Sequence, residues 1–263
     1  MPVDTNATNP VPDFRLDGRT ALVSGAGRGL GVGMAKGLAR AGADVVLMSR
    51  TRAELDIIAA EIAAEGGSAA VLVCDVTDDR AVRDVISGMP ALDILVNNAG
   101  TNIPQPFVAV ESAALDTMLN LNVRAAFIVA QAAVNRMLQD ENRSDRGGAV
   151  VNISSQLGRV ALRDRSVYTL TKHALEGLTK SMAIELAPQR IRVNAVAPTW
   201  VETPMTGPAL ADPDFRAEII GSIPMGHLAQ IDDIVGAVVF LASPAASMIT
   251  GASLVVDGGW TAR

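Results

Sequence analysis

Short apolar runs alternate with helix-patterned segments along almost the whole chain. In order, the apolar runs read TALVSG, ADVVLMSR, AAVLVCDVTD, DILVNNAG, GGAVVNISS, IRVNAVAPT and ASLVVDGG. The segments between them place apolar residues at helical spacing, as in TRAELDIIAAEIAAEGG and DDIVGAVVFLAS. Because strands separated by helices are joined by right-handed crossovers, the pattern predicts an α/β fold with a doubly wound parallel sheet of about seven strands and helices on both faces.

The composition fits such a sheet. Hydrophobic residues make up 49% of the chain but aromatic residues only 3%, so alanine, valine, leucine and isoleucine must fill the core. Small aliphatic residues suit strands that are covered on both faces. The sequence contains no internal repeat and no low-complexity linker. We therefore predict one domain over residues 15–263, preceded by a flexible arm at 1–14.

Charge and cysteine content limit the class of partner and compartment. The net charge is −6 and the basic residues form no runs, so nucleic acid is not an expected partner. The one cysteine, Cys74, rules out an internal disulfide framework and favours the reducing cytoplasm. His173 and His227 lack the spacing of metal ligands, so no metal site is predicted.

We expect neither a membrane segment nor a secretory signal. No apolar run reaches the roughly 18 residues that a membrane helix needs. The first residues, MPVDTNATNPVPDF, do not contain a basic region followed by an apolar stretch, which is the pattern of a signal peptide.

A glycine-rich loop follows the first predicted strand directly and reads SGAGRGLG from Ser24 to Gly31. Gly25 permits a tight turn, while Gly29 and Gly31 let the backbone approach a pyrophosphate and let the next helix pack close to the strand. The start of that helix offers unpaired N–H groups to phosphates. An ordinary glycine-rich β–α turn is the alternative, but the strand–loop–helix context favours a dinucleotide site.

The chain has one tyrosine, Tyr168, and it stands four residues before Lys172, one of only three lysines. On a helix these positions share a face. A phenol has a pKa of about 10, and a nearby ammonium group lowers it, so the pair can act as a tuned acid and base. A core tyrosine beside a solvated lysine is the alternative. The position thirteen residues beyond Ser155, behind a nucleotide loop, favours the acid/base pair.

The glycine spacing and several further motifs resemble one family. Gly25-x-x-x-Gly29-x-Gly31, preceded by Ser24, is similar to the T-G-x-x-x-G-x-G cofactor motif of the short-chain dehydrogenase/reductase family. Further motifs of that family follow in order, namely NNAG at 97–100, Asn122, Ser155, the Tyr168–Lys172 pair and APTWVET at 197–203. The resemblance spans roughly residues 16–260 and points to the 3-oxoacyl-ACP reductase-like and gluconate 5-dehydrogenase-like branch. It implies a Rossmann-type domain and an NAD(P)-dependent oxidoreductase that reduces a ketone or aldehyde to an alcohol, or the reverse.

The resemblance also implies the roles of four catalytic residues. Tyr168 exchanges a proton with the carbonyl or alcohol oxygen, and Ser155 hydrogen-bonds the same oxygen. Lys172 binds the nicotinamide ribose and lowers the pKa of Tyr168. Asn122 holds a water that links Lys172 to solvent. An ordinary polar helix residue is the alternative interpretation of Asn122.

The end of the second strand bears on the choice of cofactor. An NAD site usually places Asp or Glu there, but this chain has Ser49 followed by Arg50. With Arg28 in the glycine loop, two guanidinium groups would flank a 2′-phosphate and no carboxylate would repel it. We therefore predict NADP(H) over NAD(H). Solvated surface arginines are the alternative, because the chain favours arginine over lysine throughout, and NAD remains possible.

Other cofactor contacts follow from the resemblance. Asp75 is expected to bind the adenine amino group and Val76 to pack on the ring, while Val201 and Thr203 bind the carboxamide or the pyrophosphate. Thr199 departs from the family, which usually has glycine there, so we expect a slightly different nicotinamide loop. The remaining predicted contacts are Gly27, Leu30, Thr51, Asn98, Ala99, Gly100 and Pro198, in addition to Tyr168 and Lys172.

The sequence constrains the substrate-binding residues less than the cofactor-binding residues. A lid is expected near 204–226, where apolar residues form either a pocket wall or one face of a helix packed on the core. These residues are Met205, Leu210, Phe215, Ile219, Ile220 and Met225. Gln105, Phe107 and Gln156 are further candidates to approach the pocket. Arg159, Arg163 and Arg165 either attract an anionic or polyhydroxy substrate or form a solvated loop, and the solvated loop is the favoured interpretation.

The expected ligand is a small carbonyl or alcohol compound. A sugar, sugar acid or polyol competes with a 3-oxoacyl thioester and with a hydrophobic ketone. A catalytically silent dinucleotide-binding regulator is the alternative function, and the intact set of Asn122, Ser155, Tyr168 and Lys172 disfavours it. By resemblance a homotetramer is expected, or a homodimer, with interfaces on the helices around the fifth strand and on the last strand near Trp260.

Overall fold

The computed structural model of the protein describes residues 13–141 and 146–262. Most of the predicted flexible arm at 1–14 lies outside the described residues. Phe14 belongs to the described part, and its ring lies 6.1 Å from the ring of Phe240. The rest of the described chain surrounds one seven-stranded sheet.

All neighbouring strands of the sheet pair in parallel, in the order β3-β2-β1-β4-β5-β6-β7. The prediction of a doubly wound parallel sheet is confirmed. In chain order the strands are β1 (Thr20–Ser24), β2 (Asp44–Ser49), β3 (Ser68–Val73), β4 (Ile94–Asn97), β5 (Gly148–Ile153), β6 (Ile191–Pro198) and β7 (Ser253–Val256).

Helices cover both faces of this sheet. They are α1 (Leu30–Arg40), α2 (Arg52–Ala64), α3 (Asp79–Ser87), α4 (Ser112–Leu119), α5 (Ala126–Leu138), α6 (Ser166–Leu186), α7 (Gly207–Leu210), α8 (Pro213–Ser222) and α9 (Ile231–Ala242). Adjacent strand residues point to opposite faces. Accordingly, Leu22 belongs to one buried apolar cluster and Val23 to the other. The central strands are mostly apolar because both of their faces are covered, and their polar residues Ser24, Asn97 and Asn152 are buried as well.

One predicted helix is interrupted. The sequence pattern predicts a continuous helix around 115–138, but a π-helical segment, Asn120–Ala125, separates α4 from α5. Such segments are rare and frequently occur at functional sites. A π-helical turn contains more residues than an α-helical turn. The spacing of apolar residues in the sequence does not reveal so short a change, so the pattern did not predict the interruption.

The same region passes a simple test for a membrane segment. The stretch Ser112–Leu138 is long and apolar enough to cross a membrane by length and composition alone, although none of its uninterrupted apolar runs reaches about 18 residues. In the fold, 56% of its most apolar window is buried inside the protein. The core helix of a soluble protein passes the same test, and these apolar side chains pack against the sheet.

The strand order positions the functional site. Chain order reverses at β1, which pairs with β2 on one side and with β4 on the other. Ligands in open α/β sheets bind beyond the carboxyl ends of the strands at such a reversal. The loops after β1, β4, β5 and β6 therefore meet at one edge of the sheet.

Candidate active site

The glycine loop between β1 and α1 has the backbone geometry that its sequence requires. Gly25 and Gly29 have φ values of 66° and 59°, in the left-handed region that favours glycine. A Cβ at Gly31 would lie 2.1 Å from the carbonyl oxygen of Gly25, so only glycine fits there. Leu30 begins α1, whose first turn is thereby held close to the end of β1. The loop leaves the N–H groups of a helix N-terminus at the reversal point, where phosphates bind in this fold.

The NNAG motif, which begins at the end of β4, is hydrogen-bonded to the start of this loop. The hydroxyl oxygen of Ser24 accepts hydrogen bonds from the backbone N–H groups of Asn98 at 2.9 Å and Ala99 at 3.1 Å. The side-chain amide of Asn98 donates back to the carbonyl of Ser24 at 2.9 Å. A Cβ at Gly100 would lie 3.2 Å from Oδ1 of Asn122. These residues thus form the wall between the glycine loop and Asn122.

Asn122 lies in the π-helical segment and is almost fully buried. Its Oδ1 accepts from the N–H of Thr101 at 2.8 Å, and its Nδ2 donates to the carbonyl of Thr101 at 2.8 Å. Nδ2 also lies 3.2 Å from the hydroxyl of Thr171, which donates to the carbonyl of Tyr168 at 2.7 Å. Sequence reasoning did not identify Thr171, which connects Asn122 to the helix of Tyr168. Its position between Tyr168 and Lys172 is the sequence feature that could have identified it as part of the site.

Ser155, Tyr168 and Lys172 come together beyond the end of β5. The ammonium nitrogen of Lys172 donates to the carbonyl of Ile153 at 2.8 Å and lies 5.4 Å from the centre of the Tyr168 ring. Ser155 follows β5 and hydrogen-bonds the Tyr168 side chain. Ser154, in contrast, is buried beside Gly158, as strand alternation predicts.

The protonation of this pair differs from the expectation. Burial raises the pKa of Tyr168 to about 12, against smaller lowering effects of the hydrogen bond from Ser155 and the charge of Arg165. Burial lowers the pKa of Lys172 to about 8, opposed by the charge of Glu176. The prediction that Lys172 lowers the pKa of Tyr168 is therefore wrong for the protein alone, because desolvation of the phenolate outweighs the nearby charges.

The loops after β2 and β3 form the region predicted to bind adenosine. Arg28, Arg50 and Thr51 are exposed, and Thr51 directly precedes α2. Nη1 of Arg50 lies 3.9 Å from a carboxylate oxygen of Asp75, an exposed and therefore weak ion pair. Hydrogen bonds from Thr77 hold the pKa of Asp75 below its usual value.

The expectation that no carboxylate faces this region is wrong. A Cβ at Gly27 would lie 2.5 Å from Oε2 of Glu54 and 3.0 Å from the hydroxyl of Ser49. The side chain of Glu54 therefore reaches from the first turn of α2 to the glycine loop. Val76 is buried nearby, and burial raises the pKa of the Cys74 thiol, which fits an unreactive cysteine.

The loop after β6 adopts ordinary backbone angles. Asp164 and Arg190 are the non-glycine residues with positive φ in the described chain, so Thr199 needs no glycine-like conformation. Pro198 ends β6, and the N–H of Thr199 donates to Val256 at 3.0 Å. The Thr199 hydroxyl is buried without a hydrogen-bond partner among the described residues.

Two later positions of the same loop approach the glycine loop. Val201 is buried and pairs with Ala229 in an isolated bridge. A Cβ at Gly29 would lie 3.7 Å from Cβ of Thr203, so Thr203 is next to the glycine loop. The predicted cofactor residues from β1, β4, β5 and β6 thus converge on one edge of the sheet, with those from β2 and β3 at its side.

The segment predicted as a lid contains α7 and α8. Leu210 and Ile219 are buried in a small apolar cluster, separate from the two that flank the sheet, to which Ile223 and Leu228 also belong. Trp200 and Phe215 pack against this cluster. Met205 and Met225 are exposed. The helix-face interpretation therefore holds for the buried residues, and the two methionines do not form part of a buried wall.

The three arginines between Ser155 and Tyr168 have different environments. Arg159 donates to the carbonyl of Ser253 at 2.7 Å, and Arg163 forms an exposed ion pair with Glu218 at 2.6 Å. Arg165 is only 7% exposed. The solvated-loop interpretation is therefore wrong for Arg165, and the sequence carries no signal that separates it from the other two.

No group of three or more His, Cys, Asp or Glu side chains suited to a metal ion occurs within residues 13–141 and 146–262. The polar groups that the structure brings together at this edge of the sheet are the phenol of Tyr168, the hydroxyl of Ser155 and the ammonium of Lys172. Together these groups provide a proton donor, a hydrogen-bond donor to the same oxygen and a buried cation.

Comparisons with known proteins agree with this arrangement. Residues 25–261 match a family model described as enoyl-(acyl carrier protein) reductase. The chain is 43% identical to an L-xylulose reductase of Mus musculus over 252 residues, which cover 95% of this chain and 99% of that protein. It is 40% identical to a gluconate 5-dehydrogenase of Gluconobacter oxydans over 256 residues, covering 95% of this chain and 98% of that protein.

A solved structure shows the same fold. It is a gluconate 5-dehydrogenase from Burkholderia cenocepacia in complex with NADP and tartrate, 36% identical, with a TM-score of 0.91 over 96% of this chain and 98% of that one. The match extends over almost the full length of each protein, so fold and motif order are shared along the whole domain. The chain belongs to the short-chain dehydrogenase/reductase family of oxidoreductases.

Proposed function

We propose that the protein is an NADP(H)-dependent oxidoreductase that interconverts a ketone and an alcohol on a small polyhydroxy compound. The observation that carries this proposal is the meeting of Ser155, Tyr168 and Lys172 at the carboxyl end of β5, beside the glycine loop. The names of the relatives, L-xylulose reductase and gluconate 5-dehydrogenase, indicate polyhydroxy substrates for those proteins. Their likeness to this chain supports the same class here.

The residues at the reversal point suit a dinucleotide. Gly31 lets the first turn of α1 pack directly against the backbone of Gly25, and the hydroxyl of Thr199 in the loop after β6 is buried without a hydrogen-bond partner among the described residues. We assign pyrophosphate binding to the glycine loop and α1, and adenosine binding to the region around Asp75 and Val76. NADP in the Burkholderia cenocepacia structure supports this choice of cofactor. When bound, NADP(H) supplies the hydride that the reaction transfers.

The proposed acid/base chemistry uses residues of this chain. The hydroxyl of Tyr168 donates its proton to the carbonyl oxygen, and its raised pKa keeps that proton in place at neutral pH. The hydroxyl of Ser155 hydrogen-bonds the same oxygen and stabilises negative charge on it. Lys172, with a pKa of about 8, exchanges protons near neutrality, and Asn122 positions the water that connects it to solvent.

Oxidation of NADPH, followed at the nicotinamide absorbance band, tests this function. The panel contains ketoses, keto sugar acids, 3-oxoacyl thioesters and aryl ketones. We expect turnover with polyhydroxy carbonyl compounds and with no other group. Tight NADPH binding without consumption of any carbonyl compound, or of any polyol in the reverse direction, would instead identify a silent dinucleotide-binding protein.

We expect Arg50→Asp to shift cofactor preference towards NADH. Arg50 supplies a cation next to Ser49, and the variant replaces it with a carboxylate in a region that already contains those of Glu54 and Asp75. The KM for NADPH should rise at least about tenfold relative to that for NADH, because a charge-assisted contact with the 2′-phosphate is lost. Arg80→Asp makes the same charge change on exposed α3 and is the control. An unchanged KM ratio in Arg50→Asp would remove the 2′-phosphate assignment.

We also propose that the protein forms a homotetramer. Phe127 on α5, Leu170 and Ile184 on α6 and Leu254 on β7 are exposed apolar residues on the two predicted interfaces. Closed symmetric assemblies would bury them. Light scattering on the purified chain should give four times the monomer mass. A dimer would mean that only one of the two surfaces pairs, and a monomer would contradict the proposal.

A cytoplasmic location is part of the same proposal. Its support is the single, buried and unpaired thiol of Cys74, which suits a reducing compartment. Fractionation of cells that produce the protein at native level would test the assignment, and recovery in a membrane or secreted fraction would refute it.

A further inference from the structure

Arg165 is a buried cation that forms no ion pair with the described part of the chain, and the carboxylate of the preceding Asp164 attracts it only from beyond ion-pair distance. It directly precedes α6 and is 7% exposed. One guanidinium nitrogen, Nη1, donates to the backbone carbonyl of Asp164 at 3.2 Å, whereas Nε is buried without a partner among the described residues. No carboxylate of the described chain lies within ion-pair distance of it, in contrast to Arg163, which pairs with Glu218.

The guanidinium group lies near both the catalytic tyrosine and Trp200 of the loop after β6. Arg165 and Tyr168 are three residues apart at the start of α6, and their side chains interact electrostatically. The guanidinium carbon lies 5.9 Å from the centre of the Trp200 ring, which meets the Phe215 ring edge-on at 5.5 Å. Because Phe215 belongs to α8, Arg165 lies between the acid/base residue and the proposed lid.

A second unpaired polar group occurs next to the catalytic serine. Gln156 directly follows Ser155 and is only 2% exposed, and its Oε1 has no hydrogen-bond partner among the described residues. Buried polar groups are normally hydrogen-bonded, and orphaned ones call for an explanation. Arg165 and Gln156 thus both lie between Ser155 and Tyr168 in sequence, and each has a buried polar atom without a hydrogen-bond partner among the described residues.

Burial of a charge without an ion-pair partner is costly, and buried charges in proteins are normally paired. An anion that arrives with the ligand would provide the missing partner. A carboxylate suits this position because its two oxygens match the fork of guanidinium donors, while Trp200 supports the guanidinium plane. A neutral polyol would leave the charge unpaired.

We propose that Arg165 binds a carboxylate of the substrate and that Gln156 accepts a hydrogen bond from one of its hydroxyl groups, so that the preferred substrate is a sugar acid and not a neutral ketose. This inference rests on the proposed function and specifies the substrate class of the same site. Arg165 is a specificity-determining residue, whereas Tyr168 and Ser155 carry out the chemistry on any carbonyl compound that reaches them.

Kinetics with a charged and a neutral substrate test the proposal. The wild type, Arg165→Gln and the control Arg163→Gln are assayed with 5-keto-gluconate and with L-xylulose. We expect Arg165→Gln to raise the KM for 5-keto-gluconate roughly 100-fold, as for loss of one partner of a desolvated charge pair. The kcat/KM for L-xylulose should fall at least about tenfold less, because both substrates share the effect of the Arg165 charge on Tyr168 and only 5-keto-gluconate loses a charge contact. Equal losses for both substrates, or none for either, would overturn the proposal.

A binding measurement on the unmodified protein does not depend on folding of a variant. Tartrate and its neutral analogue threitol are titrated calorimetrically into the wild-type NADPH complex and then into the Arg165→Gln complex. We expect tartrate to bind the wild type at least about tenfold more tightly than threitol, and the difference to disappear in the variant. Equal affinities in the wild type would overturn the proposal.

The two tests also separate this inference from the proposed function. If the wild type converts no polyhydroxy carbonyl compound of the panel and no polyol in the reverse direction, the polyhydroxy oxidoreductase function is wrong. The tartrate titration still decides whether Arg165 forms an anion site. If L-xylulose is reduced well and tartrate shows no preference over threitol, the function stands and the sugar-acid assignment fails.

Discussion

Tyr168→Phe should reduce turnover by about a thousandfold or more while leaving NADPH affinity unchanged. The variant removes one hydroxyl group from a ring that keeps its packing beside Lys172. General acid catalysis contributes about 10² to 10⁴ in rate, and no other described group with a transferable proton is hydrogen-bonded to Ser155 in the way that the phenol is. The Ser155 hydroxyl alone stabilises the oxygen but does not supply the proton under neutral conditions.

Single-turnover oxidation of bound NADPH by a substrate found in the panel measures this effect directly. Thr169→Val is the matched control, since it removes one hydroxyl from the next residue of α6, where that hydroxyl has no described partner. The control should retain wild-type turnover. Retention of more than about a tenth of the activity by Tyr168→Phe would show that another group supplies the proton.

Gly31→Ala should weaken NADPH binding roughly 100-fold. The added Cβ would lie 2.1 Å from the carbonyl oxygen of Gly25, and backbone atoms on both sides must move to relieve the overlap. Overpacking of this kind typically costs 1–3 kcal/mol, or roughly a factor of 10 to 100, and here the distortion falls on the N–H groups that we assign to the pyrophosphate. A lower melting temperature should accompany the loss of affinity.

Fluorescence titration with NADPH measures the affinity, and Gly88→Ala provides a like-for-like substitution. Gly88 follows α3. A Cβ added at Gly88 would lie 3.5 Å from the carbonyl oxygen of Asp84, which is an ordinary van der Waals distance. That variant should bind NADPH like the wild type. If Gly31→Ala has an affinity within about twofold of the wild type, the glycine loop does not hold the pyrophosphate in the way we infer.

The sheet and the catalytic set were predictable because their signals are local. Each strand is a short apolar run, and each crossover helix has its own periodicity. Tyr168 and Lys172 share a face because they are four residues apart on a helix, whatever surrounds it. The position of Ser155 relative to them follows from the order of β5 and α6 alone.

The features that the sequence did not reveal depend on distant packing. The carboxylate of Glu54 meets Gly27 only because α2 folds back along the sheet. The raised pKa of Tyr168 results from burial. The four-residue spacing between Tyr168 and Lys172 in the sequence gives no information about that burial. Arg165 differs from Arg163 only in what α8 and the β6 loop place next to it. In each case the deciding neighbour is far away along the chain.

The start of α6 has a geometric consequence for substrate choice. Arg165 directly precedes α6 and Tyr168 lies in its first turn, so the start of one helix sets the spacing between the two backbone positions. A substrate must therefore present its anionic end and its reactive carbon at a matching spacing. If Arg165 binds the carboxylate, the distance between the carboxylate and the reactive carbon of the substrate is fixed. Compounds that are one carbon shorter or longer should then react more slowly even when they carry the same charge.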